Sequence, residues 1–101
     1  MTDKNPSPAG GTAATKSPAP VKPRSLPPWK VLLHNDDVND RSHVVETIVM
    51  LTPLGRQEAM VKMIEAHQSG VCLLLTTNRE RAELYQQQFA SRSLTVTIEL
   101  A

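Results

Sequence analysis

The amino-acid sequence predicts a small α+β domain, in which three helices cover one face of a three-stranded antiparallel sheet. Hydrophobic periodicity gives the elements in the order strand, helix, helix, strand, helix, strand. Seven of the eight prolines lie within residues 1–28, so the part of the 101-residue chain that can fold is short and has room for one core. Three helices can cover one face of a small three-stranded sheet, which gives an α+β sandwich of two layers.

Residues 1–28 are expected to form a disordered Pro/Ala-rich tail, and residues 29–101 are expected to form the folded domain. The tail consists mainly of alanine, serine, threonine, proline and lysine, and it has almost no large apolar side chains. Such a segment cannot bury enough surface to offset the conformational entropy that is lost on ordering. The remaining residues carry nearly all of the valine, leucine, isoleucine and methionine, which is enough for a modest two-layer domain.

Charge and cysteine content exclude several classes of function. The tail has four basic residues against one acidic residue, and the domain has seven basic against nine acidic, so no nucleic-acid surface is expected on the folded part. The single cysteine, Cys72, lies in an apolar run and cannot form an internal disulfide. Without a signal peptide or a run of about 18 apolar residues, the protein is expected to be cytoplasmic and free of membrane contact. The absence of a Gly-rich phosphate loop and of metal-like histidine spacing argues against an enzyme and against a cofactor.

The first half of the domain is predicted to contain a strand and two helices. Residues 29–34 favour a strand that stops at the turn-forming residues 35–37. Asn39 or Asp40 can cap the first helix, whose apolar residues recur at steps of three and four until it ends near a Thr-Pro pair. The second helix is expected to start near a Gly-Arg pair and to end at Gly70, which supplies a left-handed stop.

The second half is predicted to contain two strands that flank a helix. Residues 71–75 form a short apolar run, which predicts a strand buried on both faces. Residues 77–80 fit a capping box that opens the third helix, with Tyr85 and Phe89 turned inward. Residues 94–100 alternate between apolar and polar side chains, which is the period of a half-buried strand.

Three groups of polar residues are candidates for a site. They are the turn Asn35-Asp36-Asp37, Arg41 at the start of the first helix, and His67 near the end of the second helix. Each has an ordinary structural explanation, respectively as turn and cap chemistry, as a solvated surface residue, and as a favourable partner of the helix macrodipole.

These groups acquire a function if the first helix packs beside the second. Acceptors from residues 35–37 would then face His67 across a hollow floored by Val44, Met63 and Ala66. A protonated α-amino group has three donors that need acceptors when it is partly desolvated, and amide, carboxylate and neutral imidazole groups can supply them. The hollow beside them would take an apolar side chain.

The chain resembles the ClpS adaptor family in three segments. Residues 29–37, an aromatic-Lys-Val strand that runs into Asn-Asp-Asp, resemble the opening of ClpS adaptors. The spacing from there to the His-x-x-Gly of His67 and Gly70 is similar to the family's, and residues 94–101 resemble its closing strand. The resemblance covers residues 29–101.

This resemblance implies a non-enzymatic adaptor that needs no cofactor. It would bind the destabilising N-terminal residues (N-degrons) of substrate proteins and deliver those proteins to the AAA+ unfoldase of a Clp protease. The implied partners are the N-degron substrates and the N-terminal domain of a ClpA- or ClpC-like unfoldase. In the family a disordered N-terminal extension assists delivery, and residues 1–28 suit that role.

The resemblance also implies roles for individual residues. The residues implied to hold the α-amino group are Asn35, Asp37 and His67, with Asp36 alongside. Those implied to line the side-chain pocket are Asn39, Arg41, Val44, Met63, Ala66 and Leu94. Those implied to contact the unfoldase are Glu80 and Tyr85, the latter in place of the family's lysine.

Two alternatives to an ordinary N-degron adaptor remain open, and the first follows from departures from the family pattern. Arg41 replaces a methionine that forms the gate of the pocket, Asn39 and Asp40 replace Thr-Pro, and Ala66 stands where valine is typical. One alternative is therefore a ClpS-fold interaction module with altered or lost N-degron specificity. The other is a structural protein-interaction module, such as a ribosome-associated domain, because the same α+β layout occurs in ribosomal stalk proteins; it would need no pocket.

Overall fold

The computed structural model describes residues 26–101, and the predicted order of elements is confirmed. The elements are β1 (Trp29–His34), α1 (Arg41–Leu51), α2 (Arg56–Ser69), β2 (Val71–Thr77), α3 (Arg79–Ala90) and β3 (Val96–Leu100). Nearly all of the tail predicted for residues 1–28 lies outside the described residues. Within residues 26–101, no helix is long and apolar enough to cross a membrane, and no cluster of His, Cys, Asp or Glu could hold a metal ion.

The sheet has the strand order β2-β1-β3, and both strand pairs are antiparallel. Val31 of the central strand lies opposite Leu75 on one side and Ile98 on the other. Residues two positions apart on a strand share a face, so Leu33 points into the same layer as Val31. Both side chains are fully buried, and the α+β architecture with one covered face is confirmed.

The core lies between this face of the sheet and the three helices. Its largest fully buried apolar side chains are Phe89, Leu33, Ile48 and Val31. Full burial of a side chain of this kind is worth about 1.5–3 kcal/mol relative to its exposure, so these four account for a large share of the stability. Cys72 also belongs to the core, where its thiol donates to the carbonyl oxygen of Lys62 at 3.1 Å, and burial raises the pKa of the thiol to about 11.

The prediction that β2 is buried on both faces is wrong. Val71 and Leu73 are 38% and 39% exposed, whereas Cys72 and Leu74 are buried. The strand lies at the edge of a sheet that the helices cover on one side only, so alternate side chains face outward. The register shifts in the middle of the β1–β2 pair, with Leu74 as the additional residue, and this bulge brings both Leu74 and Leu75 to the core. The bulge therefore explains why the consecutive residues Leu74 and Leu75 both face the core, while Val71 and Leu73 lie on the outer face of the strand.

Two predicted boundaries also change. The cap of α3 is Asn78, whose side chain accepts from the backbone N–H of Arg81 at 2.8 Å, and not Thr77 as the capping box implies. Asparagine is at least as good a cap as threonine, and Thr77 still belongs to β2. β3 begins at Val96, because Leu94 lies in the preceding loop with its backbone N–H bonded to the carbonyl of Phe89 at 3.0 Å.

The start of α1 and the end of α2 are each fixed by a specific residue. Of the two predicted caps for α1, the structure selects Asp40, whose side chain accepts from the backbone N–H of His43 at 2.8 Å. α2 ends at Gly70, as predicted, and this glycine adopts the left-handed conformation with φ 90° and ψ −25°. The chain then enters β2 directly.

We expect Gly70→Ala to lower the free energy of unfolding by about 1–2 kcal/mol, because an L-residue at positive φ is strained. A Cβ at position 70 would meet no other atom within 4 Å, so the effect isolates the backbone conformation. Urea denaturation followed by circular dichroism measures it.

Gly55→Ala is the matched control, since Gly55 also has free space for a Cβ but has φ −76°. Gly55 is the N-cap of α2, so alanine there is a poorer cap but also makes the unfolded chain less flexible. These effects oppose one another, and we expect a net change in the free energy of unfolding of less than about 1 kcal/mol. Equal effects of the two substitutions would contradict the account of Gly70.

Candidate functional site

A cavity of about 300 Å³ opens where four parts of the chain meet. These are the end of β1 with its following turn, the start of α1, the end of α2 and the loop before β3. The residues that line it are Leu33, His34, Asn35, Asp36, Asp37, Asn39, Asp40, Arg41, Val44, Met63, Ala66, His67 and Leu94. Every residue predicted for the α-amino site and for the side-chain pocket is among them.

One wall of the cavity is polar and is held in place by the backbone. The N–H of Asn35 donates to the carbonyl of Gly70 at 2.9 Å, and His34 is paired with Val71. These bonds tie the end of β1 to the end of α2, where His67 is exposed. The side-chain Nδ2 of Asn35 donates to Oδ1 of Asp37 at 3.2 Å, which orients the amide, and no group within residues 26–101 donates to its oxygen, an acceptor by its chemistry.

Asp36 has a different role from its neighbours. Its Oδ1 accepts from the backbone N–H groups of Val38 and Asn39 at 2.8 and 3.0 Å, and its Oδ2 accepts from Nδ2 of Asn39 at 2.6 Å. The side-chain hydrogen bond from Asn39, followed by the backbone bonds, lowers the pKa of the Asp36 carboxyl. Because these bonds engage both of its oxygens, Asp36 mainly shapes the turn.

Asn39 connects this turn to the opposite wall. Its Nδ2 donates not only to Asp36 but also to the carbonyl of Ser93 at 2.8 Å. Ser93 has φ 66°, the only positive φ of a non-glycine residue within residues 26–101. The bond from Asn39 therefore holds a strained loop residue next to Leu94, whose side chain is buried at the cavity wall. The predicted pocket residue Asn39 acts here by positioning.

The other wall is apolar. Val44, Ala66 and Leu94 are buried, and Met63 is partly buried against the same core. Their side chains make a hollow that adjoins the polar wall, as the sequence predicts. The alanine at position 66 leaves more room than the valine expected from the resemblance.

Arg41 lies at the rim of the cavity as the first residue of α1. The residue is exposed, and within the described part of the chain its guanidinium makes no ion pair at 4 Å or less. Its position as part of the cavity wall agrees with its predicted place in the pocket.

The two residues predicted to contact an unfoldase lie elsewhere, on α3. Glu80 is exposed in the first turn of the helix. Tyr85 is only 5% exposed and belongs to the core, so its side chain offers little surface to a partner. The predicted contact of Tyr85 with an unfoldase is therefore corrected, because the inward face of α3 that includes Tyr85 packs on the sheet.

Three residues of the cavity are not among those predicted from the sequence: Leu33, His34 and Asp40. His34 lies next to Asn35, and its Nε2 is 2.7 Å from Oγ1 of Thr97 across the sheet. Leu33 and His34 directly precede the Asn35 turn in the sequence, and this proximity is the signal that places them near the cavity. Asp40 was predicted only as a cap, and a cap beside a turn that lines a cavity must also lie near that cavity.

Comparison with known proteins fits this arrangement. The family model for the ATP-dependent Clp protease adaptor protein ClpS matches residues 24–97. The chain belongs to the ClpS family. A ClpS adapter protein of Synechococcus sp. (strain CC9902) is 44% identical over 94 residues, covering 92% of this chain and 89% of the relative. A chloroplastic ClpS adapter of Chlamydomonas reinhardtii is 37% identical over 89 residues, covering 84% of this chain and 55% of the relative.

A solved ClpS structure has the same fold. Agrobacterium tumefaciens ClpS2, bound to L-phenylalaninamide, superimposes with a TM-score of 0.69 at 22% identity, covering 74% of this chain and 98% of that chain. The ClpS fold of this chain is thus supported by both sequence and structure. The prediction of the family from three short segments is confirmed.

We expect Asp36→Asn to destabilise the protein by about 1 kcal/mol at neutral pH. Both carboxylate oxygens of Asp36 accept hydrogen bonds, whereas an asparagine side chain has a single oxygen and its NH2 group cannot accept. A lowered pKa means that the carboxylate contributes stability above the usual aspartate range. That contribution is lost as pH falls through the lowered pKa of the folded state.

The difference in free energy of unfolding between wild type and Asp36→Asn should therefore shrink between neutral pH and about pH 3. Urea denaturation at several pH values measures it. Asp37→Asn is the control, since Asp37 is exposed and accepts a single bond at 3.2 Å, and it should have the smaller effect. A pH-independent difference for Asp36→Asn would contradict the role of its charge.

Proposed function

We propose that this chain is an adaptor that binds the N-terminal residue of substrate proteins and delivers them to a Clp protease. The observation that carries the proposal is a single cavity whose polar wall adjoins an apolar hollow. Asn35, Asp37 and His67 would accept from the α-amino group of the substrate, and Asp36 and Asn39 would hold the turn in shape. Val44, Met63, Ala66 and Leu94 would surround the first side chain.

The charges around the cavity suit a cationic ligand. Three carboxyl groups line it, those of Asp36, Asp37 and Asp40, against the single guanidinium of Arg41. A protonated α-amino group placed at Asn35 gains charge-assisted hydrogen bonds in a region where carboxylates outnumber basic side chains. The ligand of the Agrobacterium relative, L-phenylalaninamide, combines such an amino group with a large apolar side chain, which supports the same ligand class here.

The partner would be a ClpA- or ClpC-like AAA+ unfoldase, bound through its N-terminal domain. The names of the ClpS relatives connect the family to ATP-dependent Clp proteases. We assign docking to the exposed start of α3, where Glu80 lies, and delivery to the Pro/Ala-rich residues 1–28. The adaptor would act without catalysis and in the cytoplasm.

Arg41 favours a second form of the same proposal, in which the preferred first residue is altered. Arg41 can lay its aliphatic stem along the pocket wall with the guanidinium in solvent, or it can place the guanidinium over the hollow. The second arrangement would narrow the range of accepted side chains. A peptide series that varies only the first residue decides between broad and narrow specificity.

We expect a peptide with an N-terminal leucine or phenylalanine to bind, and its N-acetylated form to lose at least about a hundredfold in affinity. Acetylation removes both the charge and donors of the α-amino group. Asn35→Ala and His67→Ala should each weaken binding about tenfold or more, because each removes one acceptor for a charged donor. Fluorescence anisotropy with labelled peptides measures these affinities.

The control for this experiment is Gln87→Ala, an exposed residue of α3 away from the cavity. It should leave the affinity unchanged. Binding that is insensitive to acetylation, or equal for all first residues including charged ones, would refute the proposed function.

For the docking surface, we expect Glu80→Lys to weaken binding to the isolated N-terminal domain of a Clp unfoldase about fivefold or more while peptide binding stays intact. Reversal of an exposed charge removes one attraction and adds a repulsion. Glu65→Lys, the same reversal on exposed α2, is the control, and isothermal titration calorimetry is the measurement. Equal losses for the two variants would place docking elsewhere.

A further inference from the structure

A second concavity, of about 360 Å³, lies between α1 and α2 and shares two residues with the candidate site. The shared residues are Arg41 and Met63. We call this concavity the interhelix groove. Its exposed apolar side chains include Met60 and Ile64, which are 46% and 41% exposed. A surface of this kind beside a binding cavity is suited to a ligand that extends beyond the cavity.

The charges in the interhelix groove are not balanced. Arg56 and Glu46 form an ion pair with 3.1 Å between Nη2 and Oε2, so these two largely neutralise one another. Arg41 makes no such pair with the residues that the structure describes, although Asp36, Asp37 and Asp40 line the cavity on its other side. The carboxylate of Asp40 is engaged as the cap of α1. On the side of the groove, Arg41 is therefore a cation without an acidic neighbour in contact.

We propose that the interhelix groove receives the residues that follow the N-terminal residue of a bound substrate, and that Arg41 favours an acidic side chain at the second position. This inference rests on the proposed function. Arg41 and Met63 line both the cavity and the groove, and an extended chain advances about 3.3–3.6 Å per residue. A ligand that leaves the cavity on the side of the groove therefore passes Arg41 with its second residue. The third residue then reaches the apolar surface of Met60 and Ile64.

The preferred substrate is thus an extended peptide with a free amino end, an acidic second residue and an apolar residue after it. The guanidinium of Arg41 offers a planar set of donors that matches a carboxylate. Because the pair is exposed, its effect on affinity is modest, about two- to fivefold for glutamate against glutamine at the second position. Lysine at that position binds more weakly than glutamine because it meets a like charge.

The experiment uses the full chain and three peptides that differ only in the second residue: Phe-Glu, Phe-Gln and Phe-Lys, each followed by the same leucine-containing sequence. We expect the affinities to fall in that order. Raising the salt concentration from about 50 mM to about 500 mM should reduce the difference, since an exposed pair is screened. Arg41→Gln should abolish the preference for glutamate.

Arg81→Gln is the matched control, because it removes the same charge from an exposed position on α3. This variant should keep the order of affinities. If it loses the order, the preference arises from the net charge of the protein and not from direct contact with Arg41, and the inference is overturned. In methyl NMR spectra, the peptides should shift the signals of Ile64 and Met60, whereas L-phenylalaninamide, which has no second residue, should not.

The outcomes separate this inference from the proposed function. If all three peptides bind with equal affinity, or if Ile64 and Met60 do not respond to them, the interhelix groove is not part of the site and the inference is overturned, while first-residue binding stands. If no peptide with a free amino end binds, the proposed function fails and the inference fails with it.

Discussion

The pairing of His34 with Val71 is the constraint on which the candidate site depends. Gly70 turns the chain from α2 into β2 within a single left-handed residue, and its carbonyl accepts from the backbone of Asn35. His67 lies one helical turn before that residue, so the register of two strands brings it to the same cavity as the Asn35 turn. The polar wall is therefore organised by backbone geometry, and its side chains can keep acceptors free for a ligand.

The remaining wall depends on a side chain. Asn39 uses both hydrogens of its amide, one on Asp36 and one on the carbonyl of Ser93, and so connects the turn after β1 to the loop before β3. A lowered pKa at Asp36 and a positive φ at Ser93 are two marks of the same connection. Backbone strain that is held in place by side-chain hydrogen bonds occurs preferentially at functional sites, and here it fixes the loop in front of the buried Leu94.

Much of this arrangement could be predicted from the sequence, because helix stops, caps and strand alternation are local signals. Gly70 and Asp40 act as their residue types predict. The resemblance to the ClpS family predicts in addition that residues far apart in the sequence line one cavity. The bulge at Leu74 could not be predicted, since a run of apolar residues has the same appearance whether both faces are buried or an extra residue is inserted. Helical periodicity predicts Tyr85 on the inward face of α3, and its burial agrees with that pattern and not with the docking role that the resemblance implies.

Arg41 is the residue whose presence the fold does not explain. It occupies the first position of α1, where the positive end of the helix macrodipole disfavours a cation, and α1 has no acidic residue in its first turn. The cap at Asp40 offsets part of that cost, but a neutral or acidic residue would stabilise the helix better, by about 0.3–1 kcal/mol. Residues that oppose a local rule without a compensating contact are expected at functional sites. Its location between the cavity and the interhelix groove gives such a function a physical basis, because a cation there can act on a ligand that passes from one to the other.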